Sequence, residues 1–249
     1  MRILLINPNT SEEFTRKIQA IANEYAFPGT TAVAMNPSSG PRSIEGIYDE
    51  LLSSQGTLEL AITNLDEYDA FVIACYSDHP AIYALREITD KPVLGIAEAS
   101  MYVACMLGHS FSIVTTNEEW EPLLRDAVSH YGLTDRCASV RSTRMPVLAL
   151  ESASQEETTA LILKTAQQAI DEDDAEVICL GCAGMAGIDK ELEAVLGVPV
   201  LDGVVCALKL LESMVGYGLF TSKRRVYAKP GYKPVIGLPK IFEEVYTTV

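Results

Sequence analysis

Several features are scarce in this chain, and each absence excludes a class of protein. Its 249 residues carry 19 Lys and Arg against 34 Asp and Glu, a formal net charge of −15. No basic cluster with interleaved aromatics occurs, so nucleic acid is not an expected partner. The N-terminal apolar run from Ile3 to Ile6 is shorter than a signal-peptide core of about 7–15 residues. No run approaches the ~18 apolar residues of a membrane span. We expect a cytoplasmic protein without membrane contact.

Signatures of metal, phosphate and disulfide chemistry are also missing. The three histidines, His79, His109 and His130, form no metal-ligand spacing with the cysteines. Neither G-x-x-x-x-G-K-[ST] nor G-x-G-x-x-G occurs, so no phosphate loop is predicted. The six cysteines are scattered rather than spaced as a disulfide framework. The sequence therefore predicts no metal site, no cofactor and reduced thiols.

Short apolar runs alternate with longer amphipathic stretches along the whole chain. The runs predict strands at 3–6, 31–34, 70–74, 93–95, 111–114, 139–142, 177–180 and 200–201. The stretches between them predict helices at 12–24, 47–63, 80–88, 97–107, 119–131, 154–171, 186–196 and 204–217. Strands that alternate with helices favour an α/β fold in which helices cover both faces of parallel sheets.

Similar segments recur 107 residues apart. The matched pairs are Cys75 and Cys182, Pro92 and Pro199, and Ile6 and Ile113. This repeat predicts two pseudo-symmetric doubly wound lobes, each with a four-stranded parallel sheet, and an active site in the cleft between them. We place the lobes at residues 1–107 and 108–220, without a Pro/Gly-rich linker. Residues 221–249 are rich in Pro and Gly, which predicts an extended tail that crosses to the first lobe or to another subunit of a homo-oligomer.

The two matched cysteines are candidate acid and base. Ligands of open parallel sheets bind beyond the carboxyl ends of the strands, where Cys75 and Cys182 both fall. One thiolate can remove a proton beside a carbonyl on one face, and the second thiol can return a proton on the other face. The backbone N–H groups after each cysteine can bind the developing enolate oxygen, and Gly184 lets the backbone approach a ligand closely. Such a reaction needs no cofactor.

Each candidate also has a structural interpretation. A cysteine that ends an apolar run is usually a small buried hydrophobe, and it is the matched offset that favours a function here. Cys179 and Cys182 form C-x-x-C, but Cys179 lies within a predicted strand rather than at the helix start of a redox motif. Asn9 either caps the next helix or, with Thr116 at the same offset, contacts a ligand. Glu45 is either a surface acid or a modulator of the site.

The ordered motifs of the chain resemble the Asp/Glu/hydantoin racemase superfamily, and within it the hydantoin and allantoin racemases. They are INPNTS, PRSIEGIYDE, ACYSDHPAIYALRE, KPVLGIAEAS, FSIVTT, MPVLALE, LGCAGM and VPVLDGV. The resemblance implies two α/β lobes, a site between them, and cofactor-independent racemisation by two cysteines, at Cys75 and Cys182 here. It also implies that polar groups at the lobe edges bind the substrate. The matching positions are Asn9, Tyr76, Ser77, Thr116, Ala183 and Gly184.

One departure from the family pattern concerns the substrate. His79 stands between Asp78 and Pro80, where typical hydantoin racemases have no such residue. It is either a modulator of the thiol and the pocket or a loop histidine bonded to a local backbone carbonyl. The leading interpretation is a racemase of 5-monosubstituted hydantoins or of allantoin, a cyclic ureide. An aspartate or glutamate racemase is an alternative, as is a decarboxylase or cis–trans isomerase of the superfamily. A small-molecule sensor without catalysis is the alternative of a different class.

Overall fold

Two four-stranded parallel sheets form the framework of the protein, as the sequence predicted. The computed structural model describes residues 1–152 and 154–247. The strands are β1 (Arg2–Ile6), β2 (Thr31–Met35), β3 (Ala70–Ile73), β4 (Val93–Gly95), β5 (Phe111–Thr115), β6 (Cys137–Ser142), β7 (Val177–Leu180) and β8 (Val200–Asp202). The sheet orders are β2-β1-β3-β4 and β6-β5-β7-β8. The same order in both sheets gives the two lobes one topology.

Helices connect successive strands and cover the sheets. They are α1 (Glu12–Tyr25), α2 (Ile47–Thr63), α3 (Pro80–Ile88), α4 (Ile96–Leu107), α5 (Trp120–His130), α6 (Ala149–Ser152), α7 (Gln155–Asp173), α8 (Asp189–Leu196), α9 (Gly203–Tyr217) and α10 (Lys240–Thr247). The helix predicted over 186–196 begins late. Residues Ala183–Met185 form a short 3₁₀ turn, and Gly187 then has φ +86°, which a right-handed helix does not allow. The α-helix therefore begins only at Asp189. Within the described ranges, no helix has the length and apolarity to span a membrane.

Helices α4 and α9 join the lobes by crossing between the sheets. Helix α4 follows β4 of the first sheet but contacts β5, β7 and β8 of the second. Helix α9 follows β8 of the second sheet but contacts β3 and β4 of the first. A Cβ on Gly203 would lie 2.8 Å from the carbonyl oxygen of Ile96, so the starts of the two helices touch. One apolar core therefore runs through both lobes and holds the cleft edges in register.

The chain end returns to the first lobe, where Thr221 N–H donates to the Asp90 carbonyl at 2.6 Å. The prediction that the whole tail is extended is wrong for Lys240–Thr247, which form a helix. No proline or glycine follows Pro239 in the sequence. The helical segment is amphipathic, with an exposed ion pair between Lys240 and Glu244. Helix α10 packs against α2, so burial of its apolar side explains the helix.

The repeat between the lobes has two offsets rather than one. Ile6 pairs with Ile73 in the first sheet, and Val114 pairs with Leu180 in the second. Strands β3 and β7 are thus 107 residues apart, whereas β1 and β5 are 108 apart. The chain from β5 to β7 is one residue shorter than that from β1 to β3. The predicted equivalences of Ile6 with Ile113 and of Asn9 with Thr116 are therefore each wrong by one residue: Ile6 corresponds to Val114, and Asn9 corresponds to Asn117.

Candidate active site

A small pocket lies between the lobes at the carboxyl ends of the inner strands. Both Cys75 and Cys182 line it, together with the sequence-predicted residues Asn9, Tyr76, Thr116, Ala183 and Gly184. The remaining wall residues are Asn7, Phe14, Ile44, Ala74, Trp120, Val147 and Gly181. The two thiols thus share one cavity, as the matched offset predicted. Ser77, Glu45 and His79 lie outside this lining.

Backbone geometry places Cys182 at the start of a 3₁₀ turn. It follows Gly181, where a Cβ would lie 2.8 Å from the Val114 carbonyl oxygen, so a side chain there would force β5 and β7 apart. The N–H of Gly184 donates to the Cys182 sulfur at 3.3 Å. This contact stabilises a thiolate, because the first N–H groups of a helical turn attract negative charge.

Lys17 of α1 adds a cation beside Cys182. Its ammonium group donates to the Gly184 carbonyl oxygen at 2.5 Å and so connects the two lobes. Burial raises the pKa of Cys182 to about 11, while the Gly184 N–H and the Lys17 charge oppose this rise. Glu45 adds to the rise. Cys182 therefore has two neighbours that favour its charged form.

Cys75 has a more acidic neighbourhood. The Ser77 hydroxyl oxygen lies 3.4 Å from the Cys75 sulfur, and the same hydroxyl donates to the carboxylate of Glu50 on α2. Burial raises the pKa of Cys75 well above its usual range, and the negative charge of Glu50 adds to the rise. A hydrogen bond donated by Ser77 to the sulfur would lower the pKa, but the single Ser77 hydrogen cannot be donated to Glu50 and to the sulfur at once. Of the two thiols, Cys75 therefore holds its proton more firmly.

Polar groups of the wall remain available to a ligand. The Asn9 side-chain oxygen accepts from Ser11 N–H and from the Asn7 amide, each at 2.9 Å. Within the described part of the chain, neither the Asn9 amide nitrogen nor the Thr116 hydroxyl has a hydrogen-bond partner. The backbone N–H groups of Tyr76 and Ala183 also find no acceptor among the described residues. Amide and hydroxyl donors of this kind suit the carbonyl oxygens of a small polar ring.

The side chains of Tyr76 and Ser77, two of the predicted contacts, are held by other residues. The phenol of Tyr76 is buried away from the cavity, because its hydroxyl lies 2.9 Å from the Ser100 hydroxyl of α4. Tyr76 therefore offers its backbone rather than its side chain. Ser77 does not line the cavity either, and its hydroxyl contacts Cys75 and Glu50 instead.

His79 lies outside the pocket lining, and its contacts are those of a structural residue. Its side chain is 0% exposed, and Nδ1 accepts the Ala81 N–H at the start of α3. Nε2 therefore carries the hydrogen and donates to the Ser53 hydroxyl of α2 at 2.9 Å. Burial lowers the pKa of His79 to about 4, so the ring is neutral. This residue fastens α2 to the loop after Cys75.

Glu45 contacts the second lobe beside the pocket. The Asn117 amide nitrogen donates to its carboxylate at 2.9 Å, and the Ser43 hydroxyl donates to the other carboxylate oxygen at 2.8 Å. The side-chain oxygen of Asn117 is buried without a partner in the described part of the chain. Glu45 therefore connects the lobes and acts on Cys182 through its charge.

Sequence patterns did not reveal the apolar wall or the two charged neighbours of the thiols. Phe14, Ile44, Trp120 and Val147 are at most 5% exposed and come from four separate segments. Lys17 and Glu50 lie on amphipathic helices, where a charged residue usually marks only the solvated face. No local pattern could have singled them out, because their roles depend on how the lobes face each other. Across the described residues, no cluster of His, Cys, Asp and Glu fit to hold a metal occurs.

Comparison with known proteins agrees with this geometry. The model of the Asp/Glu/hydantoin racemase family matches residues 3–211. The chain belongs to this family. It is 44% identical to the hydantoin racemase of Pseudomonas sp. (strain NS671), over 100% of this chain and 99% of that protein. The fold and the resemblance drawn from the motifs are thus confirmed, and the protein is a racemase, an isomerase that acts on a small molecule.

Solved structures of relatives have the same architecture. The allantoin racemase of Pseudomonas fluorescens matches with a TM-score of 0.92 and 42% identity, over 95% of this chain and 100% of that one. The allantoin racemase of Klebsiella pneumoniae matches with a TM-score of 0.92 and 40% identity, over 98% of each chain. The arrangement of two sheets with a cleft between them is therefore shared with structures of allantoin racemases.

Proposed function

We propose that this protein racemises 5-monosubstituted hydantoins by a two-thiol mechanism. The observation that carries the proposal is that Cys75 and Cys182, from equivalent strands of the two lobes, line one cavity. Its described lining contains no Lys, Arg or His side chain. A base and an acid on opposite sides of one carbon are what inversion by proton transfer requires.

In the proposed reaction Cys182 is the resting base and Cys75 the resting acid. The Cys182 thiolate removes the proton from the ring carbon that bears the substituent, and the electron pair moves onto the adjacent carbonyl to form an enolate. Cys75 then gives its proton to the other face of that carbon, and the carbonyl is restored. The N–H groups of Tyr76 and Ala183 support the enolate oxygen. The reverse direction starts from the opposite protonation of the thiols.

The surroundings of the cavity support a neutral ring rather than an amino acid. A carboxylate substrate would lie close to the carboxylates of Glu45 and Glu50, and of the described charges that act on the two thiols the Lys17 ammonium is the cation that would offset them. The apolar wall of Phe14, Ile44, Trp120 and Val147 suits an apolar substituent on the ring. Allantoin, a hydantoin with a polar ureido substituent, is the second candidate. The solved structures of two allantoin racemases favour it.

Location and assembly also belong to the proposal. All six cysteines are free thiols, which supports a reducing, cytoplasmic setting. The first half of α2 exposes Ile47, Tyr48 and Leu51, each at least 66% exposed, which supports burial in a homo-oligomer. Light scattering on eluted protein tests the assembly, and a monomeric mass would contradict it.

The test is a racemisation assay by circular dichroism with enantiopure 5-benzylhydantoin, 5-isopropylhydantoin, allantoin, aspartate and glutamate. Runs in heavy water score deuterium at the inverted carbon by mass spectrometry. We expect inversion with deuterium uptake for hydantoins, and loss of inversion in Cys75→Ser and in Cys182→Ser. Inversion that survives both substitutions excludes the two-thiol mechanism. Inversion of aspartate or glutamate alone excludes the hydantoin substrate, and binding without deuterium uptake indicates a sensor.

A further inference from the structure

Glu50 has no part in the reaction described above, yet it is connected to Cys75. Its carboxylate accepts the hydrogen bond of the Ser77 hydroxyl, and that hydroxyl oxygen lies 3.4 Å from the Cys75 sulfur. Neither Glu50 nor Ser77 lines the pocket. The three groups therefore form a chain that leads from the reacting sulfur away from the substrate.

The single hydrogen of the Ser77 hydroxyl determines the direction of the hydrogen bonds among Cys75, Ser77 and Glu50. The Ser77 hydroxyl has one hydrogen, so it donates to one of its two neighbours at a time. A carboxylate is a stronger acceptor than a thiol, so the hydrogen goes to Glu50. The Ser77 oxygen is then free to accept a hydrogen bond from the Cys75 thiol. This arrangement stabilises Cys75 as a protonated thiol, which is the state that an acid needs before turnover.

We propose that Glu50 and Ser77 form a proton relay that keeps Cys75 protonated at rest and reprotonates it after it has acted as an acid. This inference rests on the proposed function. Glu50 takes a proton from water and passes it to the Ser77 oxygen, while Ser77 passes its own hydrogen to the Cys75 thiolate. The S–H bond forms, the Glu50 O–H bond breaks, and the carboxylate charge is restored. Cys182 releases the proton it took to water.

The groups around this chain fit such a role. Glu50 is half-buried, and burial raises the pKa of its carboxyl, with Asp78 adding to the rise against the Ser77 hydrogen bond. On the pocket side, Cys182 of the second lobe disfavours negative charge at Cys75. The cation Lys17 acts on Cys182 instead. The charged groups that act on Cys75 and Glu50 are thus negative. Each of them favours the protonated form of the residue on which it acts.

Buried contacts hold Glu50 at this position. The Ser53 hydroxyl, one turn further along α2, donates to the Glu50 backbone carbonyl at 2.8 Å and accepts from the buried His79 ring. His79 belongs to the loop that also carries Ser77. The helix turn with Glu50 and the loop with Ser77 are therefore fastened together, which keeps the relay in line.

The first experiment measures the proton affinity of Cys75 without turnover. Iodoacetamide alkylation of the Cys75 peptide is followed against pH by mass spectrometry in the wild type and in Glu50→Gln. Removing the carboxylate charge should lower the alkylation midpoint by about one pH unit, so that alkylation below the midpoint is about tenfold faster. Glu45→Gln is the matched control, because Glu45 acts on Cys182, and it should leave the Cys75 midpoint in place. Equal midpoints in wild type and Glu50→Gln overturn the proposal.

The second experiment tests proton delivery. In Glu50→Gln and in Ser77→Ala, turnover should become limited by reprotonation of Cys75, and added imidazole buffer should restore part of kcat. Loss of kcat without buffer rescue overturns the relay, since misplacement alone would not respond to a proton donor. If Glu50→Gln does not fold, Glu50→Asp is used, which keeps the charge on a shorter arm and should also respond to imidazole. If the protein racemises none of the substrates, the proposed function is wrong. The alkylation midpoint of Cys75 can still be measured in that case, because it does not require turnover.

Discussion

The ammonium group of Lys17 lies 2.5 Å from the Gly184 carbonyl oxygen, and this contact places a cation from the first lobe beside the thiol of the second. Glu50, in turn, acts on Cys75 from the first lobe. Cys182 thus has a cation as well as the carboxylate of Glu45 near it, whereas Cys75 has the carboxylate of Glu50. The pseudo-symmetry of the backbone does not extend to their proton affinities.

Removing the Lys17 charge should weaken Cys182 as a base. Burial raises the pKa of Cys182 to about 11, and the Lys17 cation is one of the interactions that oppose this rise. In Lys17→Met the pKa of Cys182 rises further, so kcat/KM near neutral pH should fall about tenfold for each unit. Activity should partly return as pH is raised. Rates across pH check this, with the exposed Arg16→Met as control. An unchanged pH profile in Lys17→Met would contradict the assignment.

Filling the space at Gly184 should damage the site more than the fold. A Cβ there would lie 2.8 Å from Leu150, 3.1 Å from Phe14 and 3.4 Å from the Cys182 sulfur. Gly184→Ala should lower kcat at least tenfold, since it displaces the sulfur or its Gly184 N–H donor. Gly216→Ala in α9 has open space around its Cβ and should raise stability by about 1 kcal/mol. Thermal melts and kinetics on both variants separate the effects, and full activity in Gly184→Ala would refute the expected crowding.

Much of the fold followed from periodicity, because buried parallel strands are continuous apolar runs. Strands β3 and β7, which end just before the two thiols, are fully buried and were located almost to the residue. Helix α10 was missed because its stability comes from packing against α2 rather than from a cap or a long pattern. The sequence indicated both thiols because ligands of open parallel sheets bind beyond the carboxyl ends of the strands, where both cysteines fall. It could not indicate that Lys17 and Glu50 meet different thiols, since those contacts depend on tertiary geometry.

The apolar wall should select the ring substituent. Val147 is 5% exposed and lines the pocket. Val147→Thr keeps the shape and adds a hydroxyl, so kcat/KM for 5-isopropylhydantoin should fall about tenfold, with a smaller loss for allantoin. Val226→Thr, at an exposed position, should change neither value. Competition between the two substrates in one mixture measures the ratio directly. Equal losses for both would mean that Val147 does not contact the substituent.

His79 should make stability depend on pH. Burial lowers its pKa from 6.5 to about 4, so between these values the unfolded chain binds a proton that the folded chain does not. The free energy of unfolding should therefore fall, by up to about 3 kcal/mol, as pH drops from 6.5 to 4. His79→Asn keeps an acceptor for the Ala81 N–H but cannot titrate, so this part of the fall should disappear.

Urea denaturation at several pH values between about 7 and 4.5 measures the change, with the exposed His109→Asn as control. Buried Asp202 acts in the opposite sense, since burial raises its pKa to about 6 and it binds a proton first in the folded state. Its contribution is common to wild type and variant and cancels in their difference. If His79→Asn loses as much stability as wild type over this range, His79 is not the group that titrates on unfolding.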